Sequence, residues 1–203
     1  MPYFSTRGGE KRATKKKKQK NNPLRKTISK LFNLFLIQRS FSTSPLIRRL
    51  AVMDIVPIIF EQPVRRDDIE GLRRVREEAN KYGTMVFADE SVYSLRDAQT
   101  VLDAKSVGGI NLKLMKHGGL LEAMRIADFA HEHGLKLMIG GMVESRLGMS
   151  ASLHFALAIG GDVVWFDLDT PMLIEGDPLS GGLQYTGPSM TLPQSPGIGV
   201  QTR

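Results

Sequence analysis

The chain has 203 residues and no cysteine, which excludes disulfides, thiolate metal sites and a cysteine nucleophile, and leaves oxygen or imidazole as the only metal donors. Its formal charge of +7 averages two unlike segments: residues 1–50 hold 14 Lys or Arg against one acid, Glu10, for net +13, and residues 51–203 hold the other 14 against 20 acids, for net −6. The basic balance belongs to a leader, so the body is not composed to bind nucleic acid, and the longest apolar run, residues 31–37, falls far short of the roughly 20 residues of a spanning helix.

The leader carries a lysine cluster at 15–18, a basic amphipathic stretch at 24–39 and a Ser/Thr/Arg-rich stretch at 39–49. It reads as an organelle transit peptide, as a lysine-rich polyanion-binding patch, or as a structureless or misassigned segment, since a block of like charges cannot bury itself. The location that follows is cytoplasmic, or mitochondrial or plastid if the leader is an address. Globular sequence is expected over residues 51–203.

From there strand and helix patterns alternate. Residues 56–60 read as a strand. Residues 67–82 read as a helix, with Ile69, Leu72, Arg73, Val75 and Ala79 at near-helical spacing, Asp67 and Asp68 at its start and Gly83 after its end. There follow a strand at 85–88, a helix at 95–105 with Asp97 in its first turn, a strand at 109–114 and a helix at 120–133 closed by Gly134. A strand at 137–139, an Ala-rich helix at 148–159 ended by Gly160 and Gly161, and a strand at 163–166 complete the series. The strands are short apolar runs without clean alternation, as helix-covered parallel strands are. The fold class is therefore α/β with right-handed crossovers.

Glu61, Asp89, Lys113, Gly140 and Asp167 stand at or just past the ends of successive strands, at intervals of 28, 24, 27 and 27 residues, the length of one β/α unit. Doubly wound sheets place glycine-rich phosphate loops there, whereas (β/α)₈ barrels place charged catalytic groups there. The pattern predicts five β/α units of a TIM-type barrel.

Glu61 and Asp89 offer hard carboxylate oxygens of the kind Mg²⁺ takes alongside water and substrate oxygen. Lys113, one strand further round, could serve as a base, its pKa lowered by a neighbouring cation. Together they suit proton abstraction beside a carboxylate, with the metal stabilising the enediolate. A single acid in such a place is more often a loop or cap residue; the ordered series of three is what favours a site. Lys116 and His117 read as loop residues, and His131 and His133, two apart on a helix, do not face each other. His154, Trp165 and the ten Met residues read as packed or core material. The Gly pairs at 118–119, 140–141 and 181–182 lack a phosphate-loop pattern.

The segments Phe60-Glu61-Gln62-Pro63, Ala88-Asp89-Glu90-Ser91, Ile110-Asn111-Leu112-Lys113-Leu114, Gly140-Gly141-Met142-Val143-Glu144-Ser145 and Asp167-Leu168-Asp169 resemble the muconate-lactonizing subgroup of the enolase superfamily. They are most similar to its dipeptide epimerases, whose type activity is epimerisation of L-Ala-D/L-Glu. The resemblance runs from about residue 53 to residue 200.

It implies Glu61 and Asp89 as Mg²⁺ ligands and Lys113 as one of two acid/base lysines. It also implies Asp167 and Asp169 as the partners of a dipeptide α-ammonium, and Met142, Glu144 and Ser145 as pocket residues. Relative to that family, no capping domain, Lys-x-Lys strand or further aspartate ligand precedes Glu61. The reading that follows is an Mg²⁺-dependent epimerase or racemase of dipeptides or amino-acid derivatives, incomplete in this chain and a poor catalyst alone. The alternative is an inactive remnant, or an assembly partner or homo-oligomer built on an open barrel edge.

Overall fold

The computed structural model describes residues 43–161 and 163–202; the leader readings that fall on residues 1–42 lie outside these. The described part opens with helix α1 (Thr43–Val52) and continues through β1 (Ile59–Glu61), α2 (Ile69–Asn80), β2 (Met85–Ala88) and α3 (Leu95–Asp103). It proceeds through β3 (Gly109–Leu112), α4 (Leu120–Glu132), β4 (Lys136–Ile139), α5 (Arg146–Ile159) and β5 (Val163–Phe166). The five strands form one parallel sheet in the order β1-β2-β3-β4-β5. After β5 come a 3-10 turn (Thr170–Leu173) and four short strands, β6 (Leu179–Gly181), β7 (Gln184–Thr186), β8 (Ser189–Thr191) and β9 (Val200–Thr202), paired antiparallel as β6 with β9 and β7 with β8.

Local chemistry starts and stops the helices. The Asp68 side chain accepts from the Gly71 amide at the start of α2, and Ser94 and Asp97 close a reciprocal capping box at the start of α3. Gly134, with φ +69°, turns the chain out of α4. The inward stripes of these helices, Leu72, Val75 and Ala79 of α2, Ala98 and Val101 of α3, and Ala123, Ile126 and Ala130 of α4, pack on one face of the sheet against Val86, Ala88, Ile110, Leu112, Leu137 and Ile139.

Register then decides what lies on the other face. Glu61 pairs with Phe87, Phe87 with Gly109, Gly109 with Lys136, Asn111 with Met138, and Met138 with Trp165. Paired residues share a face and alternate residues repeat it. Glu61, Asp89, Asn111, Lys113 and Asp167 therefore all fall on the face away from the helices, at the C-terminal ends of the strands. Phe87 and Trp165 lie below them in an edge-to-face contact with ring centroids 6.2 Å apart. A bulge between Leu137 and Met138 sets this phase for β5. Gly109 is small because Phe87 crosses it: a Cβ there would stand 2.4 Å from the ring.

The structure corrects several expected boundaries. The first strand begins at Ile59, and Val56 and Ile58 before it are exposed. The third strand ends at Leu112, so Lys113 stands one residue past it. The strands after Asp167 had no counterpart in the sequence reading, since three-residue strands between Gly and Pro turns show no measurable period. Helix α1 crosses the expected boundary at residue 50: it buries Ile47 and Leu50, and Arg48 grips Glu78 with both Nε (2.7 Å) and Nη2 (3.0 Å). No helix among the described residues is long and apolar enough to cross a membrane.

Candidate active site

The sheet's C-terminal rim gathers three of the predicted residues, Glu61, Asp89 and Lys113, and brings Asp167 close by. Asp89 is the hub. Its Oδ2 accepts from Lys113 Nζ at 2.5 Å, and its Oδ1 accepts from Lys116 Nζ at 2.7 Å. Lys116 also donates to the main-chain oxygens of Asp89 (2.7 Å) and Asn111 (2.8 Å), so its three N–H groups meet three acceptors. Glu61 Oε1 accepts from Asn111 Nδ2 at 2.5 Å. Asp167, whose amide donates to the Ile139 carbonyl, is near enough to feel the charges of Asp89, Asp169 and Lys113.

The backbone that presents Asp89 is held by Gln62, which occupies the left-handed region at φ +35°. Its Oε1 accepts from the amides of Asp89 (2.9 Å) and Ser91 (3.1 Å), and its Nε2 donates to Val64 O (3.1 Å) and Ser91 Oγ (2.8 Å). Asn111 is held by a different device. Its amide lies so close over Gly140 that a Cβ there would meet Nδ2 and Oδ1 at 2.7 Å each. Asn111 Oδ1 is itself buried without a hydrogen-bond partner.

Electrostatics follow from this crowding. Burial raises the Glu61 carboxyl above its usual range and the Asp89 and Asp167 charges add to that, against the Asn111 hydrogen bond and Lys113. Burial would raise Asp89 too, but the Lys116 charge and the bonds from both lysines hold it low. Burial opposes the Lys113 ammonium, yet the hydrogen bond and charge of Asp89, with Glu61 and Glu90, raise its pKa overall. With Asp89 on it the amine is held protonated, and the lowering expected from a neighbouring cation would belong to a loaded site. The lysine that burial does lower is Lys116, with Lys113 adding repulsion and Asp89 partly offsetting both. Lys116 read as a plain loop residue in sequence, because nothing local reveals a partner 27 residues away. Asp167 is exposed as a residue, though its carboxyl is raised, first by the atoms crowded around it and then by the charge and hydrogen bond of Asp169.

The remaining predicted residues stand apart from the hub. Asp167 and Asp169 are exposed on either side of Leu168, which is buried in the core, and the carbonyl of Leu168 accepts from the Tyr185 hydroxyl. Met142 lies exposed at the rim, and Ser145 caps α5 by position without a side-chain hydrogen bond. Glu144 is turned under its own loop, where Oε1 accepts from the Met142 amide at 3.0 Å, and its carbonyl accepts from Thr170 Oγ1 at 3.3 Å. It ties the loop after β4 to the segment after β5. Arg146 extends the tie, donating to Asp177 Oδ2 (2.8 Å) and Gly181 O (3.1 Å).

The donor chemistry at the rim fits Mg²⁺. Two hard carboxylates sit on neighbouring strand ends, and one of them, desolvated and facing other negative charges, would be relieved by a cation. Among the described residues no three acidic or histidine side chains gather into a cage, so Glu61 and Asp89 are the two carboxylates that would hold such a cation.

Residues 38–203 match the family described as Enolase C-terminal domain-like. The L-Ala-D/L-Glu epimerase of Bacillus subtilis (strain 168) is 39% identical over 142 residues, 70% of this chain and 38% of that protein. The L-Ala-D/L-amino acid epimerase of Populus trichocarpa is 44% identical over 142 residues, 70% of this chain and 33% of that protein. The crystal structure of the dipeptide epimerase from Enterococcus faecalis V583, complexed with Mg and L-Leu-L-Tyr, superposes with TM-score 0.70 at 34% identity, covering 78% of this chain and 44% of that one. The chain thus spans about a third to two fifths of the length of these two curated relatives.

Proposed function

Since the chain belongs to the Enolase C-terminal domain-like family, and its five-stranded sheet corresponds to the C-terminal part of that barrel, we propose that its strand ends carry part of an Mg²⁺-dependent epimerase site for dipeptides or related amino-acid derivatives. The observation that carries the reading is that Glu61, Asp89, Lys113 and Asp167 lie on one face of one parallel sheet, at the C-terminal ends of β1, β2, β3 and β5. Glu61 and Asp89 would hold the cation, which supplies charge to stabilise an enediolate when bound.

Each remaining step falls to a residue of the chain. Gln62 orients Asp89 through the Asp89 amide, and Asn111 orients Glu61. Lys113 Nζ, at the end of β3 on the same face, exchanges a proton with the substrate α-carbon once it leaves Asp89. Asp167 and Asp169, both exposed after β5, receive the substrate α-ammonium. Leu168, anchored in the core, and Tyr185, bound to its carbonyl, hold the backbone between the two carboxylates.

Inversion requires proton-transfer groups on both faces of the carbon, each contributing about 10²- to 10⁴-fold. On this reading Lys113 serves one of the two faces. NMR of L-Ala-L-Glu in D₂O with Mg²⁺ tests the assignment. Loss of the α-proton signal that is abolished by Lys113→Ala establishes Lys113 as an acid/base. Exchange that persists in Lys113→Ala refutes its role.

A second reading, an assembly partner, is favoured by the exposed Val164 and Phe166 on the edge strand β5. It requires a self-associated or partner-bound chain in size-exclusion chromatography, and a monomer removes it.

A further inference from the structure

Asp89 has two carboxylate oxygens and two cationic partners, and the partners are not equivalent. The Lys116 side chain is 3% exposed, and its ammonium is bound at Oδ1, at the Asp89 carbonyl and at the Asn111 carbonyl, three acceptors on two adjacent strand ends. Withdrawing it would leave two main-chain oxygens and one carboxylate oxygen without that partner in a buried site, where an acceptor that loses its donor is not compensated by water. The Lys113 side chain is 12% exposed and grips Asp89 through Oδ2 alone. It stands past the end of its strand, on the face shared with Glu61 and Asp167.

We propose that Lys116 is a positioning residue that fixes Asp89 by Oδ1 and by the main chain, leaving Oδ2 as the one exchangeable position, contested between the Lys113 ammonium and a divalent cation. This rests on the reading of Glu61 and Asp89 as cation ligands. With a cation held by Glu61 and Asp89, Lys113 would give up its Oδ2 ion pair and its amine would be free on the open face; without one, Lys113 rests on Asp89 as observed. Lys113 is therefore released only in the loaded site, and the coupling is reciprocal: Lys113 weakens cation binding by as much as the cation weakens the Lys113–Asp89 pair.

Two variants of the full chain separate this from a plain charge effect. Both Lys113→Met and Lys116→Met delete one positive charge, so electrostatics alone would tighten Mg²⁺ binding in both. The proposal requires opposite shifts in calorimetric titration with Mg²⁺: Lys113→Met tightens binding several-fold, and Lys116→Met weakens it by about 10- to 100-fold, as loss of a ligand's supporting partner does. Tightening in both variants overturns the positioning role of Lys116.

Because Lys116→Met can also unfold the site, the wild-type chain supplies an independent measurement. Brief acetic anhydride labelling read by mass spectrometry should show Lys113 acetylation rising several-fold with Mg²⁺, while Lys116 stays protected throughout. Mg²⁺ binding that Glu61→Gln abolishes, with Lys113 labelling unchanged, sinks the exchange and leaves the ligand assignment standing. Absence of any Mg²⁺ binding sinks both.

Discussion

Adding a single methyl group at residue 140 should be far more costly than adding one at residue 141. Gly140 does not have a positive φ, so alanine there meets no backbone penalty and the effect is steric. The new Cβ would stand 2.7 Å from both polar atoms of the Asn111 amide, a buried group with 0% exposure held from the other side by its 2.5 Å bond to Glu61. Accommodating the methyl costs about 1–3 kcal/mol of overpacking, and displacing the amide gives up a hydrogen bond to a charged group worth about 1.5–3 kcal/mol. A net loss of about 2–4 kcal/mol follows once the two partly relieve each other. At about 2–4 °C per kcal/mol for a domain of this size, Tm should fall by roughly 4–16 °C. In Gly141→Ala the methyl meets the flexible end of the buried Met149, Cε at 2.5 Å and Sδ at 2.9 Å, with Glu144 Oε1 at 3.7 Å in ordinary contact, so the cost is that of repacking a thioether, about 1 kcal/mol, with no hydrogen bond lost. Thermal unfolding by circular dichroism provides the comparison, completed by Gly140→Ala in an Asn111→Ala background, where the obstructing amide is gone. Equal losses at 140 and 141, or a Gly140→Ala penalty undiminished without the Asn111 side chain, would refute the reasoning.

Three further outcomes are expected. Glu78 is held down to about 2 by the hydrogen bonds from Arg48 and Lys81, below its ordinary 4.5, so its contribution is complete above pH about 4.5 and is lost as pH falls toward about 2; hydrogen exchange of α1 amides should accelerate across that window in wild type, and a profile identical to that of Glu78→Gln would contradict it. Gln62→Ala removes two donated and two accepted hydrogen bonds and leaves the Asp89 and Ser91 amides without their acceptor; urea denaturation should show a loss of about 2–4 kcal/mol, whereas a loss below about 0.5 kcal/mol would show that Gln62 does not hold the loop. Ser150→Ala strips the buried Leu183 amide of the Oγ it donates to at 2.8 Å; limited proteolysis should then cut the segment after residue 170 preferentially, and an unchanged digest would mean the segment is held without it.

Much of the fold was legible because its cues are local. The capping box of Ser94 with Asp97, the cap at Asp68 and the glycine exit at Gly134 act within three or four residues, so they mark helix ends in any tertiary context. The strand-end spacing likewise followed from the length of a β/α unit, and it placed Glu61, Asp89, Lys113 and Asp167 at one end of the sheet before any contact was known. Helix α1 was hidden inside a basic leader because its stabilising partner, Glu78, lies 30 residues from Arg48.

What the amino-acid order determined by itself was which residues end which strands, since periodicity and caps are properties of a short window. Tertiary structure alone decided how those ends are wired. Lys116 reaches Asp89 across 27 residues, Asn111 reaches Glu61 across 50, and Gln62 reaches Ser91 across 29. Those contacts depend on the pairing of β1 with β2 and of β2 with β3, and a slip of one residue in either would turn the side chains to opposite faces. The same wiring made Lys113 an ion-paired ammonium and gave Lys116 its place, because the charge state of a buried group is set by neighbours that no local window contains.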